Sequence, residues 1–291
     1  MILLAGGTGT LGTQVVRALV ESGTPVRILT RRAERAAHLT GDGIEVCVGD
    51  IRDQGAIESA VRGATMVVSA VQGFAGTEPA GAKAVDLAGN SQLIRAARNV
   101  GVRRFVLVSA LGAAPDSPLE LRRVKYETEQ TLIRSKLEWT IVRPTVYLET
   151  WRLLLDKMAA KKGSVTVFGR GTNPINFVSV RDVAALVERA TRSAELAGAV
   201  LEIGGPENLT LNELVRIVLA GHDGKGRIRH VPLPAMRAAS VLLRRVQPMT
   251  AALIQFGITM DTTDMTLPHD SGREAVPDLP LTWPKDVLSG D

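Results

Sequence analysis

One stretch constrains this chain more than any other: Met1 to Gly12, MILLAGGTGTLG. Ile2, Leu3, Leu4 and Ala5 predict a buried strand, and Gly6, Gly7, Gly9 and Gly12 turn the chain into an amphipathic run, Thr13 to Glu21. Strand, glycine turn and helix together form the geometry that seats a pyrophosphate. No Cβ separates backbone from phosphate, and free N–H groups and the positive helix end face the negative charge. The spacing Gly6-x-x-Gly9-x-x-Gly12 departs from the commonest dinucleotide signature, G-x-G-x-x-G, so its weight comes from its place between strand and helix. A tight turn without a ligand is the alternative.

The first half continues in the same alternation. Strands are expected at Pro25–Leu29, Ile44–Val48, Thr65–Ala70, Arg104–Ser109 and Trp139–Arg143. Helices are expected at Arg31–Leu39, Gln54–Arg62 (capped by Asp53), Ala82–Val100 and Pro118–Ser135. Continuous Val, Ile and Leu strands, each followed by a helix, predict a doubly wound α/β fold of Rossmann type, its parallel sheet covered on both faces. Its ligand belongs at the carboxyl ends of the strands. After Pro144 the pattern loosens: helices at Trp151–Lys162, Ser179–Arg192, after Thr210, Pro234–Val246 and Met249–Ile258, with short strands at Val165–Phe168, Ile175–Val178 and Val200–Ile203. We read residues 1–144, completed by about 176–205, as the dinucleotide domain, and 145–175 with 206–291 as a small substrate-binding cap.

The balance of charge narrows the partners. A net charge of +5 is spread along 291 residues with acids interleaved, which suits an anionic small molecule. With aromatics at 3%, a base-stacking nucleic-acid platform is not expected. The single Cys47 excludes an internal disulfide and, within an apolar strand, is expected to be buried and inert. The four histidines have no metal-ligand spacing, so no metal is expected. The first strand leaves no room for a signal peptide, and no apolar run reaches the ~18 residues of a membrane span. The expectation is a cytoplasmic monomer or homodimer acting on a small molecule, with no membrane partner.

The second strand bears on the cofactor. Where an NAD-binding sheet places an acid on the ribose, this chain reads Leu29-Thr30-Arg31-Arg32, and two guanidiniums suit a 2′-phosphate. NADP(H) is therefore expected, cradled by Gly6, Thr8, Gly9, Thr10, Leu11 and Gly12, with Arg31 and Arg32 at its phosphate. Asp50, beside Ile51, is either an acceptor for the adenine amino group or a helix cap. Ala70, Val71 and Gln72 end the fourth strand with room for the nicotinamide ribose. Ser109 ends the fifth strand and is expected to point at the nicotinamide, with Leu111 beside the substrate.

GGTGTLG, the Arg31–Arg32 pair, GDIRD, VSALGA, the Lys125 helix, WTIVRPT, INFVSVRDVA and LEIGGPENLTLNEL together resemble the atypical short-chain dehydrogenase/reductase superfamily, and within it the NmrA-like and isoflavone-reductase-like branch. The resemblance covers Met1 to about Leu219. It implies a Tyr-x-x-x-Lys pair on the helix after the fifth strand. Lys125 fits the lysine, but Leu121 occupies the tyrosine position, and Tyr126 is turned ~100° away from Lys125 around the helix. Three readings follow. Lys125 is the acid/base group; or a donor comes from the cap, with Tyr147 best placed; or there is no catalysis and the protein senses NADP(H), as NmrA-like regulators do. The resemblance places Pro144 and Thr145 beside the nicotinamide, with the substrate wall starting at Thr145 to Trp151, including Tyr147; Leu148, Trp151, Leu154 and the tail helices Ala238–Val246 and Met249–Ile258 are candidate walls of a mostly apolar pocket. Asp182 is expected to be structural, and Gly204-Gly205-Pro206 a turn without a ligand.

The leading expectation is an NADPH-dependent reductase of a carbonyl or activated double bond in an aromatic or quinone-like molecule. The alternatives are a silent NADP(H)-sensing regulator and an epimerase or dehydratase with bound NAD.

Overall fold

The computed structural model describes residues 1–39, 41–73, 81–162, 164–221, 226–268, 276–279 and 281–288. In chain order the elements are β1 (Ile2–Ala5), α1 (Thr10–Glu21), β2 (Val26–Thr30), β3 (Ile44–Val48), α2 (Gln54–Val61), β4 (Met66–Ser69), α3 (Asn90–Asn99), β5 (Arg104–Val108), α4 (Glu120–Ile133) and β6 (Glu138–Pro144). They continue with β7 (Val146–Tyr147), α5 (Leu148–Lys162), β8 (Ser164–Phe168), β9 (Pro174–Val178), α6 (Val180–Arg192), β10 (Val200–Ile203), β11 (Asn208–Thr210), α7 (Leu211–Ala220), β12 (Arg227–Val231), α8 (Leu233–Leu243), α9 (Pro248–Thr262) and α10 (Pro284–Leu288).

The chain divides into two compact units. The first holds Met1–Pro144, Val180–Ile203 and Gly272–Pro280. Its seven strands run in the order β10-β6-β5-β4-β1-β2-β3, every neighbouring pair parallel. This is the doubly wound sheet that the apolar strand runs predict. The chain leaves β1 for β2 on one side and returns to β4 on the other. That reversal opens a crevice at the carboxyl ends of β1 and β4. Leu3 and Ala5 pack with Ile57 of α2, Leu93 and Ala97 of α3 and Leu132 of α4 in one apolar layer. α1 and α6 pack on each other.

Three details depart from the sequence reading. β3 is the sheet edge, so Val46 and Val48 are exposed. Cys47 is consequently half-buried rather than enclosed. The helix expected over Arg31–Leu39 shrinks to one 3-10 turn, Ala33–Ala36. The helix expected over Ala82–Val100 opens with a wide π turn at Lys83–Gly89 before α3. The caps match: Asp53 accepts from the N–H groups of Gly55 and Ala56, and Thr210 forms a reciprocal capping box with Glu213.

The second unit holds Thr145–Ser179, Gly204–Ser271 and Leu281–Asp291. It contains a three-stranded sheet, β11-β9-β7, and a parallel pair, β12-β8. Leu148, Ile175, Phe177, Leu214, Val215 and Met260 form its core. Asn176 binds the unit's central turn together: its amide donates to Gly205 O, Glu207 O and Asn208 Oδ1, and its oxygen accepts from Gly205 N and Thr145 Oγ1. Phe177 O would stand 1.9 Å from a Cβ on Gly205, so the GGP segment runs close against β9, where Asn176 holds it.

Candidate functional site

The glycine turn brings backbone donors and a helix N-terminus together. Gly6 adopts φ +87 and lies against the end of β4, where a Cβ would meet Ala70 O at 2.7 Å. Gly12 lets α1 start directly on the turn: its Cβ would stand 2.0 Å from Gly6 O. Gly9 caps α1 with no side chain, and no acidic residue occupies the first turn. The N–H groups of Thr10, Leu11 and Gly12 therefore lack a side-chain acceptor, while Gly9 and Thr10 face solvent. These donors and the helix dipole fit a diphosphate.

Arg31 and Arg32 follow β2 and are exposed. Asp50 and Ile51 follow β3, its parallel neighbour. The Asp50 alternatives are narrowed here, because Asp53 is the helix cap and Asp50 is not. Asp50 instead pairs with Arg52 at 2.5 Å. This hydrogen bond, helped by the Arg31 charge, holds its carboxyl below the usual range. Ile51 is core, packed on Gly89.

At the ends of β4 and β5 lies a buried polar cluster that periodicity gives no sign of. Lys125 is 4% exposed and donates to Val71 O at 3.1 Å and Val108 O at 3.0 Å, with Asp86 Oδ1 2.9 Å away. Two backbone carbonyls thus accept from the ammonium, and the Asp86 carboxylate pairs with its charge. Asp86 Oδ2 accepts from Gly73 N, and its carbonyl accepts from Asn90 and Thr128. Asn90 Oδ1 in turn takes the Ser69 hydroxyl. The wide turn before α3 carries Asp86 to this point. Ala70 and Val71 stay partly open above the cluster, and Gln72 is exposed.

Ser109 is likewise committed. Its hydroxyl donates a short hydrogen bond to Glu129 of α4, a 1% exposed carboxylate that also binds Arg143 through both oxygens, at 3.0 and 2.6 Å. That bond, against the opposing effect of burial, holds the Arg143 guanidinium above its ordinary pKa. Ser109 thus points into the sheet-to-helix contact rather than at an open ligand position. Lys125, Glu129 and Leu132 share one face of α4, and it is an interior face. Pro144 is buried, and its carbonyl accepts from Leu111 N, tying the ends of β5 and β6 together.

The remaining expected residues belong to the second unit. Thr145 is partly buried and bonded to Asn176. Tyr147 lies on β7 beside Glu149, and burial, aided by that carboxylate, pushes its phenol above the ordinary value. The hydroxyl stays protonated, opposite to the activation a Tyr–Lys pair gives. Leu148 is fully enclosed in the core, so it is not a free wall residue. Trp151 packs edge-on against Phe177, ring centres 6.5 Å apart. In the stretch Ala238–Val246, expected on the substrate wall, Val241, Leu242 and Val246 are exposed. Asp182, in α6, is fully buried, consistent with a structural part. Among the described residues no three His, Cys, Asp or Glu side chains form a metal-binding group, and His222 and His269 lie outside those residues.

A diphosphate turn at the switch point of a parallel sheet defines a dinucleotide-binding protein. A model of an NAD(P)H-binding family matches residues 6–194. The chain is 30% identical over 252 residues to an NAD(P)H azoreductase of Xenophilus azovorans, covering 87% of this chain and 84% of that one. It is 29% identical over 238 residues to the photosystem II assembly factor Ycf39 of a Synechocystis strain, covering 81% and 72%. The NADPH-dependent quinone oxidoreductase QOR2 of Escherichia coli, solved with NADPH, shares the fold at a TM-score of 0.79 and 24% identity, with 99% of each chain covered. The chain belongs to the NAD(P)H-binding family, as an atypical short-chain dehydrogenase/reductase of the NmrA-like branch. Among the described residues no helix is long and apolar enough to cross a membrane.

Proposed function

We propose that the protein is an NADPH-dependent reductase of quinone-like acceptors. NADPH, when bound, supplies a hydride. The reading is carried by one observation: Ser109 and Lys125 are both tied into buried pairs, and Leu121 replaces the phenol of the usual donor. A simple ketone that takes a hydride becomes a strongly basic alkoxide and needs an acid beside it. A quinone becomes a phenolate, whose conjugate acid has a pKa of about 10. It can take its proton from water. An acceptor whose reduced anion is stable thus suits a site without a dedicated acid. The likeness to QOR2 supports the quinone class, and the relation to the azoreductase supports NAD(P)H-dependent reduction in general.

In this reading the residues divide simply. The α1 N-terminus holds the diphosphate, and Arg31 and Arg32 hold the 2′-phosphate. Val71 and Pro144, fixed by Lys125 and Leu111, support the nicotinamide half. Thr145, Tyr147 and Trp151 belong to a substrate cap, where the protonated Tyr147 offers a hydrogen bond. An epimerase or dehydratase is disfavoured, since the arginines suit NADP and Leu121 carries no hydroxyl.

Titration with NADPH, NADP+, NADH and NAD+ tests the cofactor reading. The double substitution Arg31→Ala/Arg32→Ala lowers NADPH affinity about 10- to 100-fold, the worth of charge-assisted hydrogen bonds, and leaves NADH binding unchanged. An equal loss for both nucleotides overturns the assignment.

One observation favours a second reading. Val241, Leu242 and Val246 are 73%, 75% and 78% exposed, an apolar patch beside Arg244 and Arg245. Such a patch fits a partner-binding regulator, and the assembly-factor relative points the same way. Tight NADPH binding with no turnover of any quinone or azo compound, alongside self-association or partner capture lost in Leu242→Ser, decides for it.

A further inference from the structure

Arg122 has no assigned part in anything described above. It stands in the first turn of α4, three residues before Lys125. Its neighbours are occupied: Arg123 donates to Ser117 O at 2.5 Å, and Glu120 faces Lys83 at 3.6 Å. Glu129 is bound to Arg143 and Ser109. Among the described residues the Arg122 guanidinium has no hydrogen-bond or ion-pair partner, and it is only partly exposed. Burial pushes its pKa down, with no carboxylate acting against it. A half-buried guanidinium without a protein acceptor keeps its five donors available to an incoming anion.

Its position says what. The guanidinium lies against Gly112, where a Cβ would come within 3.1 Å of Cζ and Nη1 and 3.2 Å of Nε. Gly112, at φ +75, therefore serves as a backbone floor for the fork. It belongs to the turn after β5, whose Leu111 N is bonded to Pro144 O. The fork sits against the turn that follows β5, at the carboxyl edge of the sheet. The diphosphate turn follows β1, separated from β5 by β4. The cofactor's phosphates thus have their own donors elsewhere.

We propose that Arg122 is an acid-reading subsite: it binds a carboxylate, sulfonate or phosphate substituent on the hydride acceptor. This rests on the reductase reading and narrows it to aromatic acceptors bearing an acidic group. A planar fork over a flat glycine floor suits a bidentate oxyanion better than a point contact.

The test is binding, with turnover as a separate arm. Protein loaded with NADP+ is titrated calorimetrically with naphthalene-2-sulfonate and with neutral 2-naphthol. Wild type should bind the sulfonate about tenfold more tightly. Arg122→Gln should abolish that preference without changing NADP+ affinity, and Arg122→Lys should retain part of it. A wild type without preference, an Arg122→Gln protein that keeps it, or an equal loss of NADP+ affinity overturns the proposal. The turnover arm compares 1,4-naphthoquinone with its 2-sulfonate under NADPH. Reduction of neither contradicts the reductase reading alone, because the binding result still decides the subsite.

Discussion

Gly12→Ala lowers NADPH affinity by about 100-fold, equivalent to roughly 3 kcal/mol. The added Cβ would stand 2.0 Å from Gly6 O and 2.7 Å from Gly7 Cα. Both are backbone atoms, so no side chain can swing aside. α1 must draw back from the turn, and the N–H groups of Thr10, Leu11 and Gly12 then no longer converge on one anion. Gly9→Ala separates this from simple crowding. There a Cβ meets only Gly6 O, at 3.4 Å, which is ordinary contact. Gly9→Ala should keep the melting temperature of wild type and weaken NADPH only through the methyl beside the phosphates. Gly12→Ala should lower both. Calorimetric titration with a thermal melt checks the pair, and full NADPH affinity in Gly12→Ala would remove the turn from the binding site.

Lys125→Met destabilises the fold by about 3–5 kcal/mol, the usual consequence of leaving one partner of a buried ion pair alone. Asp86, which is fully buried, would keep a charge with no counter-ion, and the carbonyls of Val71 and Val108 would lose their donor. A melting temperature lower by about 10 °C is expected. Adding Asp86→Asn should recover part of it, because the neutral amide removes the stranded charge and still accepts from Gly73 N. This outcome separates a positioning lysine from an acid/base lysine. An unchanged melting temperature with turnover lost would return Lys125 to the chemistry.

The doubly wound sheet was readable because its cues are local. Apolar runs such as Phe105-Val106-Leu107 show a buried parallel strand. Asp53 and Thr210 announce their helices by type and spacing. The face shared by Lys125, Glu129 and Leu132 follows from helical period. What that face touches does not. Ser109–Glu129, Arg143–Glu129 and Asp86–Lys125 join residues from different elements, and their pairing exists only once β4, β5, β6 and α4 are assembled. The strand-end Ser109 looked like a ligand contact because nothing local showed the carboxylate it would meet. Cys47 and Val48 looked buried because strand composition does not reveal an edge position. β7, β11 and β12 were missed as strands of two to five residues whose partners lie far along the chain. The wide turn at Lys83–Gly89 leaves no mark in apolar spacing, yet it carries Asp86 to the lysine.

The central claim is that hydride reaches an acceptor that needs no protein acid. The most direct measurement follows NADPH absorbance in a single turnover with 1,4-naphthoquinone and, separately, with acetophenone at equal concentration. The account predicts rapid oxidation by the quinone and none above background with the ketone, in wild type and in Tyr147→Phe alike. Comparable rates for quinone and ketone, with the ketone rate lost in Tyr147→Phe, would contradict it and make Tyr147 the proton donor.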